Sequence, residues 1–115
     1  MSDSIITFID SDLPDTKIAK FVGQLDETNI EDEAKRVYAE LEGGLKNMVF
    51  DFTELSYLNS KSIGYIADWQ GKVTENNGKL VIFGAAENIF DILDVVGLTK
   101  LIEIVDDLEG AKGAL

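Results

Sequence analysis

Short apolar runs alternate with helical apolar spacing along the whole chain, and this alternation predicts an α/β domain. Apolar runs at residues 5–9 and 17–24 predict two strands. Residues 10–15 between them contain the only proline, Pro14, and predict a turn. Because this connection is short, we expect the two strands to form a hairpin.

A first helix is predicted to follow the hairpin. Apolar residues recur every three to four positions over residues 30–41, as on one face of a helix. Thr28 and Glu31 have the spacing of a capping box at its start. Gly43 and Gly44 are expected to end it, because glycine readily adopts the left-handed conformation of a helix terminus.

The second half of the chain repeats the pattern of strand and helix. Continuous apolar runs at residues 48–52 and 79–83 predict buried strands, with a helix over about 60–76 between them. The remaining predicted elements are a helix capped by Asn88 and ended by Gly97, a strand at residues 101–105 and a short helix at 107–115. The predicted order is ββαβαβαβα, a mixed sheet of four to five strands with about four helices in a single domain, residues 1–115.

Composition excludes several kinds of active site. The chain has no cysteine and no histidine, so thiolate metal sites, disulfides, cysteine nucleophiles and Ser-His-Asp triads are impossible. The formal net charge of -12 repels nucleic acids and anionic lipid, and we expect no direct contact with nucleic acid. This acidity is consistent with a partner that has basic patches, or with charge that only keeps a small protein soluble.

No membrane insertion, metal or cofactor is expected. The longest apolar stretch, Leu80 to Ala86, is too short to span a bilayer, and the Met-Ser-Asp-Ser start lacks the basic residues of a secretory signal. These features predict a cytoplasmic protein. Acidic residues near Pro14 lack the glycine and the closing glutamate of a calcium loop, and they are interpreted as a solvated turn.

One segment carries a family resemblance. Residues 49–64, VFDFTELSYLNSKSIG, resemble the signature of the STAS family, which includes bacterial anti-sigma factor antagonists. In that signature a buried strand and a short loop precede Asp-Ser-Ser/Thr-Gly-Leu-Gly at the start of a helix. The phosphorylated serine of the family falls on Ser60. The resemblance departs from the family pattern at Asn59, Lys61 and Ser62, where the family has aspartate, serine or threonine, and glycine.

Weaker similarities extend the resemblance over nearly the whole chain. Residues 23–26, Gly-Gln-Leu-Asp, resemble the end of the family's second strand, and Asp26 falls on an acidic position near its partner-binding surface. Residues 78–82 resemble the family's strand after the helix that begins at the phosphorylated serine. Residues 90–102 resemble the helix and strand that come next in the family. The resemblance implies a STAS fold and a regulatory binding module rather than an enzyme.

The resemblance also implies partners. An anti-sigma factor that is a serine kinase would bind the unmodified chain and phosphorylate Ser60, and a PP2C-type phosphatase would reverse the modification. A non-switching STAS subunit of a lipid- or anion-transport assembly is the alternative, and a small enzyme using carboxylates alone is a third hypothesis.

The residues around Ser60 are the candidate partner-binding site. We expect Tyr65 and Trp69 to lie outside the apolar stripe of their helix, either as interface anchors or packed against a neighbouring helix. That stripe is predicted to contain Ile63, Ile66, Ala67, Gln70, Val73 and Thr74. The full candidate set is Asp26, Asn59, Ser60, Lys61, Ser62, Tyr65 and Trp69. Asn59 or Ser60 could equally serve only as a helix N-cap, and Lys61 could pair with a phosphate or remain solvated.

Overall fold

A computed structural model describes residues 5–115 and shows five strands and four α-helices in that range, in the predicted order ββαβαβαβα. Their bounds are β1 Ile6–Asp10, β2 Thr16–Leu25, α1 Ile30–Glu42, β3 Asn47–Leu58, α2 Ser60–Glu75, β4 Leu80–Phe83, α3 Glu87–Val95, β5 Glu103–Val105 and α4 Leu108–Ala114. The interpretation of the N-terminus rests on residues 1–4, which lie outside the described residues. Within the described range, no helix is both long enough and apolar enough to cross a membrane.

The five strands form one mixed sheet in the order β1-β2-β3-β4-β5. β1 pairs with β2 in antiparallel orientation, which confirms the predicted hairpin, and the other pairs are parallel. Because β2 and β3 run in the same direction, their carboxyl ends meet at one edge, where Leu25 is opposite Leu58. The residues that follow these strands, Asp26 and Asn59, are therefore neighbours.

The sheet is covered on both faces, and β3 contributes side chains to each side. Met48, Phe50 and Phe52 are buried together with residues of α1, α2 and α3. Val49, between them in sequence, points the other way and packs with Ala111 of α4. Successive side chains of a strand point to opposite faces, so a central strand covered on both faces reads as a continuous apolar run.

The predicted capping box at the start of α1 is wrong. The helix begins at Ile30 with Asn29 at the N-cap, and no side chain caps it. Thr28 Oγ1 instead donates to Asp26 Oδ1 at 2.5 Å, in a turn that precedes the helix. A threonine hydroxyl that finds an acceptor two residues earlier competes with the capping geometry.

The predicted cap of α3 is also wrong. The helix begins at Glu87, and Asn88 lies inside its first turn. The Asn88 side chain donates through Nδ2 to the carbonyl of Ser56, 3.5 Å away, at the end of β3. Asn88 thus links α3 to the end of β3 instead of capping the start of the helix.

Candidate phosphorylation and partner-binding site

Ser60 is exposed at the first residue of α2, directly after β3. The helix cap is Asn59, whose Oδ1 accepts from the Ser62 amide at 2.9 Å. Of the two cap assignments left open by the sequence, the structure selects Asn59. The Ser60 side chain is therefore free of the capping role and faces solvent at a helix start, where exposed amides and the helix dipole favour an anion.

Ser62 is fully buried, so the prediction that it lines a docking surface is wrong. Its hydroxyl donates to Asn59 Oδ1 at 2.6 Å and also lies 3.1 Å from the carbonyl oxygen of Leu25. These two acceptors satisfy a polar group that would otherwise be costly to bury. Ser62 therefore holds the start of α2 against the end of β2 instead of facing a partner.

Asp26 lies beside this helix start, in the connection from β2 to α1. The Asn59 amide donates to the carbonyl of Leu25 at 3.3 Å, which holds the two connections side by side. Asp26 Oδ1 accepts from the hydroxyl and, at 2.9 Å, from the amide of Thr28. These two hydrogen bonds lower the pKa of the Asp26 carboxyl, so this surface carries a stable negative charge near Ser60.

Lys61 is exposed and forms an ion pair with Glu31 in the first turn of α1, with Nζ 3.1 Å from Oε1. Its hydrogen bond with Glu31 raises the pKa of the Lys61 ammonium. Lys61 is therefore not simply a solvated lysine, because its side chain is oriented by a residue of the neighbouring helix. It connects the N-terminal turns of α1 and α2 on the surface that contains Ser60.

Trp69 is fully buried, and its predicted place outside the apolar stripe is wrong. Its ring meets that of Phe50 in β3 edge to face, with centroids 5.7 Å apart, and stacks on that of Tyr65 at 6.1 Å. The residues of α2 that are buried are Ser62, Ile66, Trp69 and Val73. The true stripe shares Ile66 and Val73 with the predicted one but is rotated about the helix axis.

Tyr65 is half-buried and packs against the core, so at most one side of its ring can meet a partner. It contacts Tyr38 of α1 edge to face, with ring centroids 6.3 Å apart. The packing of both aromatic side chains against α1 matches the neighbouring-helix alternative that the sequence left open. The predicted anchors are mainly structural.

Tyr38 and Asp68 form a contact between α1 and α2 that the sequence analysis missed. The Tyr38 hydroxyl donates to the Asp68 carboxylate, and burial, followed by this hydrogen bond, raises the pKa of the phenol. In the sequence, Tyr38 belongs only to the apolar spacing over residues 30–41 that predicts the helix. A tyrosine on such a face requires a partner for its hydroxyl, which is the signal that points to this contact.

The surface around Ser60 is acidic. Glu27 and Asp32 are exposed near Glu31, and Asp26 lies half-buried beside them. Within residues 5–115, no cluster of three or more acidic, histidine or cysteine side chains has the arrangement of a metal site. The exposed hydroxyl of Ser60 is surrounded by exposed carboxylates. Such a surface is suited to binding a macromolecule of complementary charge.

Replacing Asn59 with alanine is expected to lower the free energy of unfolding by about 1–2 kcal/mol, measured by urea denaturation. The Ser62 amide and the buried Ser62 hydroxyl would both lose their Asn59 acceptor. Asn59→Asp keeps an acceptor and should change stability by only a few tenths of a kcal/mol.

Asp107→Ala is the matched control for the Asn59 variant. Asp107 Oδ1 caps α4 through the Gly110 amide at 2.8 Å, with no buried hydroxyl depending on it. We expect a smaller loss than for Asn59→Ala. Equal losses would contradict the role assigned to the contact between Asn59 and Ser62.

Comparison with known proteins gives a consistent set of similarities. A family model described as the STAS domain matches residues 9–111. An anti-sigma-B factor antagonist of Listeria monocytogenes is 32% identical over 72 residues, which cover 63% of this chain. The matched segment spans 61% of that relative's length.

Solved structures share the fold at low sequence identity. A Thermotoga maritima protein assigned as an anti-sigma factor antagonist superposes with a TM-score of 0.88 at 19% identity, covering 95% of this chain and 92% of the other. The Bacillus protein SpoIIAA superposes in its unphosphorylated form with a TM-score of 0.80 at 14% identity, covering 95% of each chain. In its phosphorylated form the TM-score is 0.75 at 14% identity, with 96% of this chain and 99% of the other covered.

Proposed function

Since the chain belongs to the STAS domain family, we propose that it is an anti-sigma factor antagonist whose binding to its partner is switched by phosphorylation of Ser60. The proposal draws on the similarity to the Listeria antagonist and on the phosphorylated form of SpoIIAA. In this proposal the chain is one cytoplasmic binding module, a substrate of its partner and not a catalyst.

The proposed cycle has two chemical steps. The anti-sigma factor, acting as a serine kinase, transfers the γ-phosphoryl group of ATP to Ser60 Oγ. A new O–P bond forms, the bond to the β-phosphate breaks, ADP leaves and the hydroxyl proton is released. A PP2C-type phosphatase then hydrolyses the serine phosphate with water, giving inorganic phosphate and the free hydroxyl.

The exposure of Ser60 is the observation on which the proposal depends. Its hydroxyl lies at the surface, whereas Ser62, two residues later, is fully buried. A kinase can therefore reach one of these serines and not the other. Phosphorylation adds about -1.5 to -2 charges beside the acidic side chain of Asp26 without requiring any change in the fold.

The geometry divides the candidate residues between two roles. Asp26, Ser60, Lys61 and the accessible side of Tyr65 form the proposed contact surface. Asn59, Ser62 and Trp69 are proposed to act through the structure by fixing the start of α2 and its packing. The exposed carboxylates of Glu27, Glu31 and Asp32 lie around this contact surface. They favour a partner with basic residues opposite them and no cation opposite the neutral hydroxyl of Ser60.

Phosphorylation of the chain by its anti-sigma factor, with ATP and magnesium, tests the proposal. We expect a mass increase of one phosphoryl group, mapped to Ser60 by peptide mass spectrometry, and no phosphate on the Ser60→Ala variant. Ser62 should remain unmodified because it is buried. Phosphate on no residue would contradict the proposal and favour a non-switching STAS subunit.

A further inference from the structure

Lys61 is the basic residue adjacent in sequence to the proposed phosphorylation site. It is the one basic residue between Lys46 and Lys72 in the sequence, and it directly follows Ser60. The fold pairs it with Glu31 of α1 at 3.1 Å, and Glu27 and Glu31 both contribute to raising the pKa of its ammonium. The positive side chain next to Ser60 in sequence is therefore held by a carboxylate of the neighbouring helix.

The start of α2 has part of its anion-binding capacity already in use. A helix N-terminus binds anions through the backbone amides that lack an intrahelical acceptor. Two of these amides already donate elsewhere, that of Ser62 to Asn59 Oδ1 at 2.9 Å and that of Asn59 to the carbonyl of Leu25 at 3.3 Å. The amides of Ser60 and Lys61 are left for a phosphate on Ser60, so a neighbouring cationic side chain adds to its stabilisation.

We propose that Lys61 is the binding residue for a phosphate on Ser60, and that phosphorylation transfers its ammonium from Glu31 to the phosphate. The inference rests on the proposed function for the presence of that phosphate. Both side chains of the ion pair are about half exposed or more, at 48% for Lys61 and 65% for Glu31, so the pair is free to rearrange. A phosphate dianion attracts an ammonium more strongly than a single carboxylate does.

The transfer changes two surfaces at once. The phosphate with Lys61 replaces a neutral hydroxyl at the start of α2. At the start of α1, Glu31 loses its contact with Lys61, and its carboxylate is then exposed beside those of Asp26, Glu27 and Asp32. Phosphorylation thereby alters the charge that a partner meets on α1 as well as on α2, and a basic partner residue that contacts Glu31 can distinguish the two states.

The test uses the full chain with phosphoserine encoded at position 60, so that no kinase is needed. Phosphorus NMR then follows the second ionisation of the phosphate, whose ordinary pKa is about 6. We expect Lys61→Met to raise this pKa by about 0.5, the size of effect typical of an exposed ion pair, and Lys61→Arg to restore it.

Lys79→Met is the matched control. Lys79 Nζ also lies 3.1 Å from its partner, Glu103 Oε1, and its side chain has nearly the same exposure, 47% against 48%. The control removes the same charge away from the site and should leave the phosphate pKa unchanged. Equal pKa values for the Lys61→Met and Lys79→Met chains would overturn the inference.

Partner affinity is measured separately on the same proteins. If the phosphate leaves partner affinity unchanged while Lys61→Met raises the phosphate pKa, the proposed function fails and the Lys61 assignment stands. If the phosphate weakens binding while Lys61→Met leaves its pKa unchanged, the assignment of Lys61 fails and the proposed function stands.

Discussion

Replacing Trp69 with alanine is expected to lower the free energy of unfolding by about 3–5 kcal/mol. The indole is fully buried and packs between Phe50 of the sheet and Tyr65 of its own helix, so its removal leaves a cavity between α1, α2 and β3. Domains of this size typically have a free energy of unfolding of about 5–15 kcal/mol, so the loss from this one change is a large part of it. Urea denaturation followed by circular dichroism measures it, because Trp69 is the only tryptophan and its removal eliminates the fluorescence probe.

Two variants make the result specific to burial. Trp69→Phe keeps an aromatic ring and removes an indole Nε1 that has no hydrogen-bond partner among the described residues, so it should lose markedly less stability than alanine. Tyr65→Ala removes a half-buried ring and should also lose less. A loss below about 1 kcal/mol for Trp69→Ala would contradict the assignment of Trp69 to the core, since that size is typical of exposed positions.

Replacing Ser60 with aspartate is expected to weaken binding to the anti-sigma factor about 100-fold. The aspartate carboxylate must lose its hydration in the docked interface, and a charge buried there without a facing cation costs several kcal/mol. Ser60→Ala removes only an exposed hydroxyl and should change the affinity less than about threefold. Isothermal titration calorimetry of each variant with the anti-sigma factor measures the difference.

The matched control for Ser60→Asp places the same charge at the other end of the helix. Asn76 is exposed at the C-terminus of α2, so Asn76→Asp alters net charge without altering the proposed contact surface. We expect its affinity to match that of the unmodified chain. An equal loss for both variants would assign the effect to overall charge and contradict the local switch.

The order of elements could be predicted because each depends on local pattern. The apolar runs in β3 and β4 are buried on both faces of the sheet, so consecutive residues are apolar and mark each strand in the sequence. The length of β3 could not be predicted in the same way. It extends from Asn47 to Leu58, well beyond the predicted residues 48–52, because its polar second half pairs with an irregular part of β2. Shifts of register between Lys20 and Val22 and between Gly23 and Gln24 break the alternation that marks a strand.

The orientation of α2 shows where local pattern is insufficient. The predicted stripe passes through Ile63, whereas the observed one passes through Ser62 and Trp69, and both contain Ile66 and Val73. Ser62 is buried only because Asn59 and the carbonyl of Leu25, distant in sequence, accept its hydrogen bond. That contact depends on the parallel pairing of β2 and β3, which periodicity within one helix does not reveal.

The position of Ser60 could be predicted because it depends on the junction between a strand and a helix. The buried run before it and the helical spacing after it place residue 60 at a helix start, and the structure confirms this. Asn59, Lys61 and Ser62 were identified by their departure from the STAS pattern. Their contacts with Leu25 and Glu31 involve another strand and another helix, so only the structure reveals them.

The most direct measurement is the affinity of the anti-sigma factor for two forms of the full chain, one unmodified and one with phosphoserine encoded at position 60. Calorimetric titration should show tight binding of the unmodified chain and at least about a 100-fold loss with the phosphate, since the dianion adds more charge than aspartate. Equal affinity for the two forms would contradict the claim that modifying this exposed hydroxyl determines which protein binds.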